Sequence, residues 1–183
     1  MILEPYPIIT KYYRDHIKAR KILIEHSESV AAKALRIAEA LGMPHEDKVF
    51  IQEAALLHDI GIFLTHAPSI GCEGKLPYIC HGYLGHDLLV GEGWPKHARV
   101  CERHTGTGLT IEDIIKQGLP LPHRSMMPVS LPEQIITYAD KFFSKDPGQL
   151  WIEQPIDKVR KKLLLHGQEK LQTFDKWHEG FGE

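Results

Sequence analysis

The 183-residue chain is poor in cysteine, holding only Cys72, Cys80 and Cys101. An odd count with no CxxC pair excludes a disulfide framework and a zinc ribbon. Long apolar runs are also missing. Nothing approaches the roughly 20 residues of a membrane-spanning helix, so no membrane partner is expected. Neither sign of charge is in excess. Lys and Arg number 22 against 24 Asp and Glu, a net charge of -2 with His neutral, which argues against a nucleic-acid partner. The opening "MILEPYPIIT" has no basic segment leading into an apolar one, so no secretory signal is expected, and the expected location is the cytoplasm. There is no internal repeat, no low-complexity segment and no sustained alternation of the strand type.

What the chain does have is histidine, 12 residues scattered along its length, and a strong helical grammar. "SESVAAKALRIAEALG" is rich in helix formers, offers Ser27 or Ser29 as an N-cap and stops at Gly42. "PHEDKVFIQEAALLHDIG" opens with Pro44 and acidic residues and ends at Gly61. Further helices are expected near 8–24, 82–90, 95–104, 132–144 and 156–177, with loops at 64–80 and 118–131 that could shape a pocket. The expected fold is all-α, one domain over 1–183, with a core at about 20–145 and a helical tail at about 150–183 that packs on the domain or forms a homodimer contact.

Several polar residues stand on the apolar stripes. His26 extends the stripe of Val30, Ala34 and Ile37, and His58 follows Ile51, Ala54 and Ala55. His81 precedes Leu84 and Leu88, His104 follows Val100 and Cys101, and Asp140 lies between Ile136 and Phe143. Taken singly, each histidine reads as a hydrogen-bonded core residue. Buried Asp59 and Asp140 are harder to dismiss, because a carboxylate away from water needs a cation or several donors. A metal site built between facing helices accounts for all six together, and imidazole with carboxylate suits iron, manganese or zinc. Six ligands exceed the needs of one open site, so two divalent ions are expected, with one Asp bridging them. His58 and Asp59 also sit at a helix C-terminus, where partial negative charge favours a cation. A separate zinc reading pairs Cys101 with His104 and needs Cys72 or Cys80 nearby. His66, just after Asp59, and His86, five residues beyond His81, are weaker candidates.

The segments "EHSESVAAKAL", "AALLHDIG" and "ITYADK" resemble the three core motifs of the HD superfamily of metal-dependent phosphohydrolases. "CHGYLG" and "ERHTGTG" resemble the extra ligands of its binuclear branch, and "HTGTG" and "YADK" look most like its diadenosine tetraphosphate hydrolases. The resemblance implies that His26, His58, Asp59 and Asp140 hold one metal, and that Asp59 bridges to a second held by His81 and His104. It implies a catalytic role for Asp59 and His58, through a hydroxide between the metals that attacks phosphorus. Cationic or polar groups for the phosphate are expected among Lys75, Arg103, Arg124 and Lys141, with Thr105 and Gly106 beside His104. Where many relatives continue the motif as HDIGK, this chain has Ile62.

The leading expectation is therefore a phosphohydrolase of a nucleotide or similar small phosphoester. The alternatives are an HD-fold oxygenase with a mixed-valence di-iron centre, and a degenerate HD domain that only binds a nucleotide or a partner protein.

Overall fold

The computed structural model describes residues 3–182, and within them nine α-helices carry the fold. The longest is α2, Ile17–Ala40, rich in Ala, Ile, Leu, Lys and Glu and without Gly or Pro. It ends as expected at Gly42, where the Gly42 and Met43 amides close back on the carbonyls of Glu39 and Ala38. The expected caps at Ser27 and Ser29 are not there, because the helix starts ten residues earlier. Ser27 is buried in its interior, and the Ser29 hydroxyl donates to the Glu25 carbonyl. The helix expected near 8–24 is in fact two. α1 covers Pro5–Tyr12, with proline in its first turn where no amide is needed, and a turn at Tyr13–His16 separates it from α2.

α3 (His45–Leu57) follows Pro44, and α4 (His81–Gly91) and α5 (Pro95–Arg103) form the most extensive helix pair. A short α6 (Ile111–Lys116), not anticipated, is set by a capping box between Thr110 and Asp113. α7 (Leu131–Asp140) opens on a second capping box, Ser130 with Glu133, and stops four residues earlier than expected. The helix expected over 156–177 breaks at Gly167, whose φ of +134° is a conformation that side chains resist, giving α8 (Ile156–Leu164) and α9 (Gln168–Phe181). The loop at 64–80 holds a minimal antiparallel hairpin, β1 (His66–Ala67) with β2 (Cys72–Glu73), in the register His66 opposite Glu73.

Two apolar clusters meet along α2. One gathers Val30, Ala34 and Ile37 with residues of α3, α7 and the tail helices, including Phe174 and Phe181. The other joins Ile9, Tyr13 and Leu23 to Leu57, Ile60, Ile62 and Cys101. His26 stands on the same helix between Leu23 and Val30, so the seam between the clusters is where polar groups gather. The tail packs on the domain: Phe174 stacks on Tyr138 at 4.9 Å, and the Tyr138 hydroxyl lies 2.8 Å from His178 Nδ1.

Candidate metal centre

Helix ends build the site. His58 follows the last residue of α3, His104 follows the last of α5, His81 opens α4, and Asp140 closes α7; only His26 comes from a helix interior. The last carbonyls of a helix have no amide partner. Three histidines use such carbonyls, or those of a preceding 3₁₀ turn. His58 Nδ1 lies 2.6 Å from the Ala55 carbonyl, His81 Nδ1 lies 2.6 Å from that of Tyr78, and His104 Nδ1 lies 2.7 Å from that of Cys101. Each ring thus carries its hydrogen on Nδ1 and turns Nε2 inward, the orientation of a metal-ligating imidazole. The C-termini of α3, α5 and α7 also bring partial negative charge to one place.

Glycine allows the close approach. A methyl group on Gly61 would lie 2.3 Å from the His81 carbonyl oxygen and 2.5 Å from the Gly85 amide nitrogen, so the start of α4 rests on the turn after Asp59. That contact carries His81 to Asp59.

Asp59 lies at the centre, fully buried, and its two oxygens face different neighbours. Oδ2 is 3.0 Å from His58 Nε2 and 3.3 Å from His26 Nε2, while Oδ1 is 3.3 Å from His81 Nε2 and 3.4 Å from His104 Nε2. Asp140 Oδ1 completes the first group, 3.0 Å from His26 Nε2 and 3.4 Å from His58 Nε2. The ligand atoms of His26, His58, Asp59 and Asp140 all lie within 4.8 Å of one another, as do those of Asp59, His81 and His104. No group among the described residues includes a cysteine, and Cys101 Sγ instead lies 3.2 Å from the Leu57 carbonyl.

These residues fit a divalent cation. Asp59 Oδ1 and His58 Nε2 make no hydrogen bond of good geometry, a costly condition for buried polar atoms that an ion removes. Two nitrogens bound at about 2.1 Å to one ion lie roughly 3.0–3.4 Å apart, and His81 Nε2 is 3.0 Å from His104 Nε2.

The electrostatics agree. Burial disfavours the charged form of both carboxyls, but Lys145 and His58 hold Asp59 well below the usual range, and Lys141 and Lys145 do the same for Asp140. Burial also disfavours the His58 imidazolium, yet the carboxylates of Asp59 and Asp140 outweigh it and push the group up to about 9. Burial wins at His81, lowered to about 3, and lowers His104 as well.

The residues expected at the phosphate are dispersed. Lys141 Nζ sits between Asp140 Oδ2 at 2.7 Å and the His104 carbonyl at 3.1 Å. Arg103 Nη1 pairs with both oxygens of Glu133, and Arg124 pairs with Glu102. Lys75 is exposed beyond the hairpin. Thr105 and Gly106 line a cavity of about 590 Å³ together with Lys170 of α9. His66 is exposed, and His86 lies against Asp87 rather than at the centre. Ile62 is fully buried in the second apolar cluster.

Lys145 was not anticipated. Its ammonium lies 2.5 Å from Asp59 Oδ2. Helical spacing cannot reveal it, because α7 ends at Asp140 and residues 141–145 lie outside any helix.

Comparison with known proteins gives two kinds of match. The HD domain family model matches residues 23–144. Among curated proteins, a tRNA (cytidine(56)-2'-O)-methyltransferase of Thermoplasma volcanium is 31% identical over 160 residues, 87% of this chain and 42% of that protein. One of the same name from Picrophilus torridus is 31% identical over 147 residues, 80% of this chain and 38% of that protein. An uncharacterized protein of Methanocaldococcus jannaschii is 33% identical over 144 residues, 77% of each chain. The chain thus spans about two fifths of the two methyltransferases that it matches. No solved structure matches.

Proposed function

The chain belongs to the HD-domain family, and from that premise we propose that it is a metal-dependent phosphohydrolase acting on a nucleotide or related phosphoester. One observation carries this reading: Asp59 turns one oxygen to His26 and His58 and the other to His81 and His104, the arrangement of a carboxylate shared by two cations. Divalent ions held there supply Lewis-acid polarisation of phosphoryl oxygens and activation of water. The chain's own residues do the rest. Asp59 sets the spacing of the two groups, the helix-end carbonyls lock the tautomers of His58, His81 and His104, and Lys141 steadies Asp140 against the His104 carbonyl. Near-complete burial of the ligands keeps bulk water from screening these charges.

The test is a panel of nucleotides, dinucleoside polyphosphates and phosphodiesters. It is run with iron, manganese and zinc, with and without oxygen, beside Asp59→Ala. Phosphate release that needs metal and not oxygen, reduced by at least about a hundredfold in Asp59→Ala, is expected. Turnover that requires oxygen would favour the di-iron oxygenase instead. No turnover with any metal would favour a binding domain.

The relatives' names favour a second reading, in which the phosphoester belongs to an RNA. The net charge of -2 argued against a nucleic-acid partner, but two relatives that share this domain are named for tRNA, and the alignment leaves more than half of each outside it. Methyl transfer makes no evident use of a buried cluster of histidines and aspartates, so this reading assigns that chemistry to the unshared part. Adding a tRNA transcript to the panel separates the two readings: cleavage or end-trimming of the transcript supports the second, and turnover of free nucleotides alone supports the first.

A further inference from the structure

Beside the ligand cluster lies a pocket of about 510 Å³, lined among others by Ser69, Tyr78, Ser144, Lys145 and Asp146. Two of its walls are continuous with the cluster. The Tyr78 ring packs on His81 at 4.7 Å between centroids, and its carbonyl takes the His81 Nδ1 hydrogen. Lys145 reaches inward to Asp59. Asp59, His26 and His58 are fully buried, whereas the Lys145 side chain that lines the pocket is 18% exposed.

The charges at the inner end do not balance once a metal binds. Asp59 and Asp140 carry two negative charges, which one divalent ion matches. The lysines beside them are then in surplus, and of these Lys145 lines the pocket, where an anion is favoured. The nearest acid on the rim, Asp146, turns one oxygen to the Gly148 amide. Ile62 is sunk in the core, and Arg103 and Arg124 are held by Glu133 and Glu102, so none of them supplies this charge.

We propose that Lys145 is a phosphate-binding residue: its ammonium, at the floor of the pocket lined by Ser69, Tyr78 and Ser144, receives a phosphoryl oxygen of the substrate. This assignment rests on the phosphohydrolase reading of the same site. A metal held by Asp59 would compete with the ammonium for that carboxylate, and the pocket that Lys145 lines is where the ammonium would then find an anion. Arginine keeps the charge at this position, whereas methionine keeps only the length.

The experiment titrates inorganic phosphate into the manganese-loaded full chain by calorimetry, for the wild type, Lys145→Met and Lys145→Arg. Metal content and thermal melt are measured on each. Lys145→Met is expected to weaken phosphate by roughly ten- to a hundredfold with metal content retained, and Lys145→Arg to restore most of it. With any phosphoester that turns over, Lys145→Met should raise KM. Unchanged phosphate affinity and KM in Lys145→Met overturn the assignment and leave the phosphohydrolase reading standing. Lys145-dependent phosphate binding without hydrolysis of any phosphoester upholds the subsite and overturns that reading. Should Lys145→Met fail to fold, acylation of wild-type lysines read by mass spectrometry decides. Protection of Lys145 by phosphate supports the assignment, and equal modification with and without phosphate overturns it.

Discussion

His81 Nε2 and His104 Nε2 face each other across 3.0 Å inside the protein. Each ring has its hydrogen on Nδ1, committed to a carbonyl, and burial keeps both rings neutral, His81 down to about 3. Two bare lone pairs at this distance repel. A shared cation converts the repulsion into ligation, and Asp59 Oδ1 lies 3.3 and 3.4 Å from the same two nitrogens.

His81→Ala or His104→Ala should therefore cost the second ion and spare the first. Metal content by mass spectrometry is expected to fall from about two to about one per chain, because His26, His58, Asp59 and Asp140 remain as one group. Unchanged content in both variants would sink the two-ion arrangement.

Gly61→Ala tests how α4 is placed. Its methyl would meet backbone on α4 at 2.3 and 2.5 Å, and backbone cannot rotate away as a side chain can. The helix must shift, at a cost of about 1–3 kcal/mol or more in denaturant unfolding. His81 moves with it, so the surviving folded protein should hold the second ion more weakly than the first. Equal loss of both would place the effect elsewhere.

Metal uptake should release protons. Without metal, His58 is held as an imidazolium up to about 9, and a ligand must be neutral. Near pH 7 about one proton is expected per first ion, read with an indicator in weak buffer, and affinity should rise about tenfold per pH unit until near pH 9. The effect on stability has the opposite sign. The raised pKa contributes stability to the metal-free fold that is full below 6.5 and lost as pH rises through about 9. His81 and His104, both lowered, are neutral throughout that window, so His58 sets the trend there. The gap between melting temperatures with and without metal should widen from pH 6.5 to pH 9; a constant gap would contradict this.

A chelator should lower the melting temperature. An ion at a hundred times its dissociation constant stabilises by about 2.7 kcal/mol, or about 5–11 °C for a chain of this size. His26→Ala and Asp140→Ala should reduce that shift, since each removes a ligand of the first group. A melt indifferent to chelator would count against metal binding at this site.

Phe174→Ala tests the tail. The ring is fully buried and stacks on Tyr138, two residues before Asp140. A loss of about 3–5 kcal/mol in denaturant unfolding is expected. A negligible loss would mean that the tail is not packed on α7 in solution.

Much of the site was legible because its residues break a pattern. His26, His58, His81, His104 and Asp140 occupy positions on apolar stripes where an aliphatic side chain belongs, and the stripes alone bring them toward one interior. The helix ends were legible where a local signal sets them, as at Gly42 and Pro44. They were not where tertiary packing decides. α2 runs straight through Ser27 because its buried face continues there, and the tail helix breaks at Gly167 although its composition favours a helix on both sides.

The sequence by itself determined the helical class and the six-residue candidate ligand set, because periodicity and burial cost are properties of local spacing. Only the tertiary structure decided that Asp59 turns one oxygen to each group, that Gly61 lets α4 close on it, and that Arg103 and Arg124 answer to Glu133 and Glu102. It also brought Lys145 to the carboxylate that the neighbouring motif leaves without a lysine. Such contacts depend on where the chain turns between helices, and no residue spacing encodes that distance.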